Sequence, residues 1–300
     1  MAVLSPITGS TNTSHVLDIH TDQLCAQYLQ ETKVDVRRFF LDRPTIQLYA
    51  CNDTGYRFYY PDGIWGDGKF YEELEANNSW YYARNRWEHH EGLKRIQPTD
   101  KVLEIGCGDG VFLHMMREKG VKDLTALELN EKAAAQLQQA GFDVRRQFIQ
   151  EFAYNHDGEF DVVCFFQVLE HIHDIKSFMQ AALRALKPGG RMIIAVPYNN
   201  PYLYRHDVYH TLNLPPHHAG LWDKAAFKAL PEFFPMTLSY LDVQLLKEYK
   251  PWYAVQLAHY RKTNPVKAAL MRLIPSPIYK LILAGRKEAG RNILVEYRKN

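Results

Sequence analysis

Between residues 101 and 198 short apolar runs alternate with amphipathic stretches, and this rhythm predicts most of the fold. The runs at 101–105, 123–128, 142–148, 160–166 and 191–196 have the length and aliphatic content of buried strands. The stretches at 110–119, 130–140 and 174–186 space apolar residues three and four apart, as a helix with one buried face requires. Gly141 closes the second of these helices, and Lys187-Pro188-Gly189-Gly190 closes the third. Strands that read as continuous apolar runs, joined by helices, belong to a parallel sheet covered on both faces.

The flanks carry weaker patterns. Residues 1–75 read as irregular, apart from an alternation from Gln47 to Tyr60 that breaks at Asn52-Asp53-Thr54-Gly55 and predicts a hairpin. Pro61-Asp62-Gly63 and Gly66-Asp67-Gly68 mark turns, and a helix is expected over 69–97, stopping at Pro98. A loop rich in Pro, His and Asn runs from 197 to 220. After it come a helix near 223–230, a strand over 237–245, helical pieces over 264–273 and 277–287, and an alternating strand over 292–298. The expected division is a small N-terminal domain (1–75) and a main domain (76–300) with a helical insertion at 246–290.

Composition narrows the class. Apolar residues make up 46% of the chain and charged residues 23%, so a soluble globule with a substantial core is expected. A net charge of +2, with no basic run interleaved with aromatics, argues against nucleic acid as a partner. Cys25, Cys51, Cys107 and Cys164 are too few and too scattered for a disulfide framework, which favours a reducing, cytoplasmic setting. No secretory leader is read at the N-terminus, and no stretch reaches the roughly 18 apolar residues of a membrane span.

Chemistry enters at Val102-Leu103-Glu104-Ile105-Gly106-Cys107-Gly108-Asp109-Gly110. Glycines between a strand and a helix let the backbone approach a ligand that a Cβ would exclude, and the helix start offers unpaired N–H groups. Glu128 closes the second strand, where a carboxylate can accept both ribose hydroxyl hydrogens. A dinucleotide fingerprint would place glycine where Val111 stands, and Asp109 is an awkward neighbour for a pyrophosphate. The turn suits an adenosine ligand that lacks phosphates and carries positive charge.

This turn resembles the cofactor loop of class I S-adenosylmethionine-dependent methyltransferases. Ala126-Leu127-Glu128-Leu129-Asn130 is similar to their ribose-binding segment. Phe160-Asp161-Val162-Val163, followed by Gln167-Val168-Leu169-Glu170-His171, resembles their fourth strand and loop. Leu186-Lys187-Pro188-Gly189-Gly190-Arg191 resembles the turn before their fifth strand, and Tyr81, Tyr82 and Arg86-Trp87-Glu88 a helix that closes over the cofactor. The resemblance implies a doubly wound, Rossmann-like α/β fold. Its seven-stranded sheet would be mostly parallel, with an antiparallel last strand. It also implies S-adenosylmethionine as cofactor. Glu128 and Leu129 would lie at the ribose, and Gly106, Cys107, Gly108 and Gly110, with Glu104 beneath, around the methionine part. Ile149 and Gln150 would flank the adenine, Gln167 and Val168 the sulfonium, and Tyr82, Arg86 and Trp87 would close the site.

A hydroxyl or acidic-carbon acceptor needs a base within hydrogen-bond reach. The candidates are His171 and the pair His217-His218, whose loop Asn213-Leu214-Pro215-Pro216-His217-His218 resembles an acceptor-side loop in a bacterial subset of the family. Tyr198, Asn199, Tyr204 and His210 are candidates for lining the acceptor pocket. The implied reaction is methyl transfer to a small molecule such as a sugar or secondary metabolite. The alternative is a cofactor-binding scaffold without turnover, and the oligomeric state, monomer or homodimer, stays open.

Ser5-Pro6-Ile7-Thr8-Gly9-Ser10 and Cys51-Asn52-Asp53-Thr54-Gly55 resemble two zinc knuckles that precede the catalytic domain in related methyltransferases. Ser5, Thr8 and Thr54 stand where those proteins carry cysteine, and only Cys51 is kept. Zinc takes soft or imidazole ligands in a four-coordinate shell, so no metal is expected there, and no other His or Cys spacing supplies a set. Near the C-terminus Met271, Leu273, Ile274, Ile278, Leu281, Ile282 and Leu283 alternate with Lys267, Arg272, Lys280, Arg286 and Lys287. That mixture reads as a lid or dimer surface, with an interfacial helix as the lesser alternative.

Overall fold

The computed structural model describes residues 2–78, 86–200, 208–246, 249–285 and 289–300. Thr13–His20 (β1), Thr45–Cys51 (β2), Arg57–Tyr60 (β3) and the short Gly220–Leu221 (β9) form an antiparallel sheet in the order β1–β2–β3–β9. The expected hairpin is the β2–β3 pair. The second sheet contains Lys101–Ile105 (β4), Asp123–Leu127 (β5), Asp143–Arg145 (β6), Phe160–Phe166 (β7), Leu186–Pro197 (β8), Met236–Leu245 (β10) and Ala289–Lys299 (β11). Its order is β10–β11–β8–β7–β4–β5–β6, parallel throughout except for β11, which runs antiparallel to both neighbours.

Strand alternation divides the core in two. Leu103, Val163, Phe165, Ile194 and Val295 face one buried cluster, and Val102, Val162, Cys164, Ile193 and Leu294 face the other. Helices Val111–Glu118 (α4), Glu131–Gln139 (α5) and Ile175–Ala185 (α6) cover the faces, and Asn130 and Asp174 cap the last two by accepting from Ala133 and Ser177 N–H. From β4 the chain winds outward to β5 and β6 on one side, and to β7 and β8 on the other. The carboxyl ends of β4 and β7 therefore flank a topological switch point, where such sheets bind ligands.

Several elements differ from the pattern. Strand β1 and helix α1 (Thr21–Thr32) occupy chain that reads as irregular, because β1 buries only Ile19 and α1 only a narrow stripe through Leu24 and Tyr28. The helix expected over 69–97 is α2 (Gly68–Asn77) and α3 (Trp87–Leu93), on either side of residues outside the description. Strand β6 is shorter than 142–148, since Arg146, Gln147 and Phe148 are exposed. The Lys187–Gly190 turn lies inside β8 as a shift in its register with β7, with Gly189 at a φ of +72°. A helix at Tyr249–Thr263 precedes the two expected ones, which span Pro265–Arg272 and Ser276–Gly285.

Candidate active site

Strand β4 delivers the chain to the switch point, and the glycines turn it. Gly106 and Gly110 have φ of +70° and +77°, a region that side chains other than glycine rarely adopt. The N–H groups of Gly106 and Cys107 donate to Leu127 O at 2.7 and 3.4 Å, which pins the turn against β5. A Cβ on Gly106 would stand 2.6 Å from Val168 Cγ2, and one on Gly110 would collide with Leu137 of α5.

Two carboxyl groups flank this turn. Glu128 Oε2 accepts from Gly108 N–H at 2.8 Å, and Oε1 accepts from Asn130 N–H at 2.8 Å. The carboxylate thus ties the turn to the start of α5. Glu104 is 3% exposed and its Oε2 has no hydrogen-bond partner. Burial, reinforced by the Glu128 and Asp109 charges, pushes its pKa well above the usual carboxyl range. An orphaned acidic group beneath a turn that excludes a Cβ fits a cationic adenosine cofactor. Glu104, Gly106, Gly108 and Glu128 would hold it.

At the end of β7, Gln167 adopts a φ of +56°, a strained conformation for a side-chain-bearing residue. Its N–H donates to Ala195 O at 2.8 Å, and its buried Nε2 has no partner. Val168 then packs over Gly106, and a single 3-10 turn (Leu169–His171) follows, in which His171 N–H donates to Val168 O at 2.9 Å.

The 214–219 loop folds onto this turn. His217 and His218 N–H donate to Leu214 O, and Ala219 N–H donates to Glu170 O. His171, His217 and His218 thereby bring one ring nitrogen each to within 4.8 Å of one another. His171 Nδ1 donates to His217 O at 2.6 Å, and His217 Nδ1 donates to Leu212 O at 3.0 Å. A carbonyl only accepts, so Nδ1 carries the proton in both rings and the lone pair sits on Nε2. Burial, partly opposed by the hydrogen bond to His217, lowers the His171 pKa to about 4. Burial and then His171 lower His217 to about 3, and burial carries His218 well below the usual histidine range. Buried Glu170 lies beside them, with Oε1 3.9 Å from His171 Nε2 and Oε2 unpartnered. Burial raises its pKa to about 8. At neutral pH the cluster therefore holds neutral imidazoles and an acid that is mostly protonated. Such imidazoles accept protons, and they are also the donor type that a zinc-class cation takes.

The other expected residues scatter. Leu129 is exposed next to Glu128; Ile149 is buried in the core and Gln150 is exposed. Phe148, just before them, is 57% exposed. Arg86 and Trp87 stand at the start of α3, where Arg86 Nη1 lies 3.9 Å from Glu88 Oε1. Tyr198 is buried in the core. Asn199 is wholly buried, its side chain accepting from Trp222 N–H and donating to Asn213 Oδ1. His210 is close enough for its charge to be felt at His217 and His218. Tyr82 and Tyr204 lie outside the described residues. Tyr71, whose hydroxyl stands 3.4 Å from His171 Nδ1, and Glu170 are members of the cluster that sequence reasoning missed. Among the positions likened above to zinc knuckles, Ser5 and Thr54 both hydrogen-bond to Cys51, and Thr8 N–H donates to Ser5 Oγ.

A switch-point glycine turn, an acidic residue closing the next strand and a seven-stranded sheet with one antiparallel strand define a class I S-adenosylmethionine-dependent methyltransferase. The chain belongs to the methyltransferase domain family, whose model matches residues 73–237, and its cofactor is S-adenosylmethionine. It is similar to the ubiquinone biosynthesis O-methyltransferase of Pseudomonas aeruginosa strain UCBPP-PA14, with 34% identity over 110 residues, covering 35% of this chain and 47% of that protein. The Cronobacter sakazakii protein of the same name is 33% identical over 152 residues, 43% of this chain and 62% of its own length. The chain thus spans about half the length of the curated relatives it matches. Among solved structures, a SAM-dependent methyltransferase from Archaeoglobus fulgidus aligns with a TM-score of 0.53 at 15% identity, over 78% of this chain and 100% of that one. A possible histamine N-methyltransferase from Thermotoga maritima aligns with a TM-score of 0.50 at 16% identity, over 77% and 97%. These likenesses show the fold.

Proposed function

We propose that this protein transfers the methyl group of S-adenosylmethionine to a hydroxyl oxygen of a small molecule. One observation carries the reading: Val168, which packs over Gly106, caps the 3-10 turn that ends at His171, which holds a lone pair on Nε2. A proton acceptor is thereby built next to the cofactor loop.

When bound, the cofactor supplies a methyl group activated by a sulfonium. The protein orients the acceptor and takes its proton. His171 Nε2 accepts a hydrogen bond from the hydroxyl, which leaves an oxygen lone pair for the carbon. As the O–C bond forms, the carbon's bond to sulfur would break with its electron pair leaving on a neutral thioether, the O–H would become that of an oxonium, far more acidic than an imidazolium of pKa about 4, and the proton would pass to Nε2. His217 O holds the His171 ring in the required tautomer. The relatives' printed activity, O-methylation, supports an oxygen acceptor.

The test is incubation with methyl-labelled S-adenosylmethionine and a panel of phenols, catechols and pyranosides. Label on oxygen is expected, with His171→Ala slowing turnover by about 10²–10⁴-fold at unchanged cofactor affinity. Label only on nitrogen or carbon, or full rate in the variant, contradicts the proposal.

A further inference from the structure

The excursion between β10 and β11 has a surface unlike the rest of the molecule. Its helices, Tyr249–Thr263, Pro265–Arg272 and Ser276–Gly285, are held together by Trp252, Met271, Tyr279 and Leu283, a cluster separate from the three larger ones. The outside is apolar and cationic. Val266, Leu270 and Leu273 recur at i, i+4 and i+7, and Ile278, Leu281 and Ile282 at i, i+3 and i+4, so two exposed stripes result. Leu273 is 77% exposed and Leu281 71%. From 249 to 285 there are six Lys or Arg residues and no Asp or Glu, in a chain with 36 basic and 34 acidic residues overall. Lys250, Arg261, Lys262, Lys267, Arg272 and Lys280 are all exposed.

Among the described residues no single helix is long and apolar enough to cross a membrane, and the last two helices meet at 110°. They have the make-up of elements that lie in an interface. Strand β10 runs parallel to the central strands, so the excursion leaves from their carboxyl edge. The glycine turn and Gln167 lie on that same edge.

We propose that this excursion docks the protein on an anionic lipid surface, with its apolar stripes at the acyl boundary and its lysines and arginines among the headgroups. The inference goes beyond the methyl-transfer reading and stands without it. Charge selects the occupant: a symmetric pairing of the helices over 249–285 with a second copy would bring six cations against six, with no acidic residue within that span to offset them. A phosphate-bearing bilayer supplies the opposite charge along with an apolar layer for the stripes. Docking there also sets the carboxyl edge of the central sheet at the lipid boundary.

Co-sedimentation of the full chain with vesicles tests this, using phosphatidylglycerol mixed with phosphatidylcholine against phosphatidylcholine alone at physiological salt. The mixed vesicles are expected to bind at least about tenfold more strongly. The triple variant Lys267→Glu, Arg272→Glu, Lys280→Glu is expected to lose about a hundredfold, and Leu270→Asp with Leu281→Asp to lose binding as well. Unchanged affinity of each variant for S-adenosylhomocysteine shows that it is folded. Failure of the wild type to bind the mixed vesicles, or full binding by the triple variant, overturns the proposal. Self-association that Leu270→Asp with Leu281→Asp abolishes, without lipid binding, assigns the stripes to a second copy and overturns it equally.

Discussion

At the residue scale, burial sets the protonation states in the histidine cluster, and those states make stability depend on pH. His171 and His217 have folded pKa values of about 4 and about 3, below the ordinary 6.5 they regain on unfolding. The unfolded chain therefore binds more protons below neutrality. Stability from these rings is complete above pH 6.5 and is lost as pH falls toward 3, with a slope of up to about 1.4 kcal/mol per pH unit for each ring. Glu170 works the other way, since its pKa rises from 4.5 to about 8 on folding. Its contribution is complete below 4.5 and is lost as pH rises through 8. Denaturant titrations across pH should show both limbs, and Glu170→Gln should flatten only the alkaline one. An alkaline limb unchanged in Glu170→Gln contradicts the assignment, while a reduced limb is what remains from Glu104, whose pKa burial also raises. The individual histidines are legible in the sequence as polar residues at a strand end and in a Pro-rich loop. Their meeting is not, because His171 and the pair at 217–218 join through the bond of Ala219 N–H to Glu170 O and of the His171 ring to His217 O, between residues far apart in the chain. Tyr71 arrives from α2, so nothing local marks it.

Among the elements, the turn from β4 into α4 is the most tightly specified. Gly106→Ala would place a methyl 2.6 Å from Val168 Cγ2 on a backbone at φ +70°. Two penalties then combine, steric and conformational. Val168→Ala in that background is expected to restore part of the lost melting temperature by removing the clash alone. Full restoration would show that the backbone angle is harmless, and no restoration that the contact is. At the start of α5, Asn130→Ala removes an acceptor 3.0 Å from Ala133 N–H and should cost about 1 kcal/mol in urea denaturation. The central elements are legible because β4 and β7 are buried on both faces, and their residues are apolar apart from Lys101, Glu104 and Asp161. β1 and the 249–263 helix are not. The first is an edge strand with one buried side chain, and the second packs mainly against its own excursion.

For the whole molecule, helix α1 and strand β3 brace the chain that leads to the histidine loop. Tyr28 Oη donates to Leu214 O at 2.8 Å, Tyr59 Oη to Asn213 O at 2.9 Å and Arg57 Nη2 to Asn199 O at 2.6 Å. The N-terminal residues thus hold the backbone that leads into His217 and His218. Tyr28→Phe with Tyr59→Phe should lower kcat on a hydroxyl acceptor while leaving cofactor affinity intact, as expected of positioning residues. Equal loss of both would point to a general defect in folding. These ties link residues far apart in the chain, so no periodicity could reveal them. The cofactor half is different: its glycines and Glu128 act through neighbouring backbone, and local sequence displays them. Isothermal titration with S-adenosylhomocysteine tests that half most directly. One saturable site per chain is predicted, weakened about tenfold or more by Glu128→Ala, which frees both the Gly108 turn and the start of α5. No saturable binding in the wild type, or an unchanged affinity in the variant, would contradict the account.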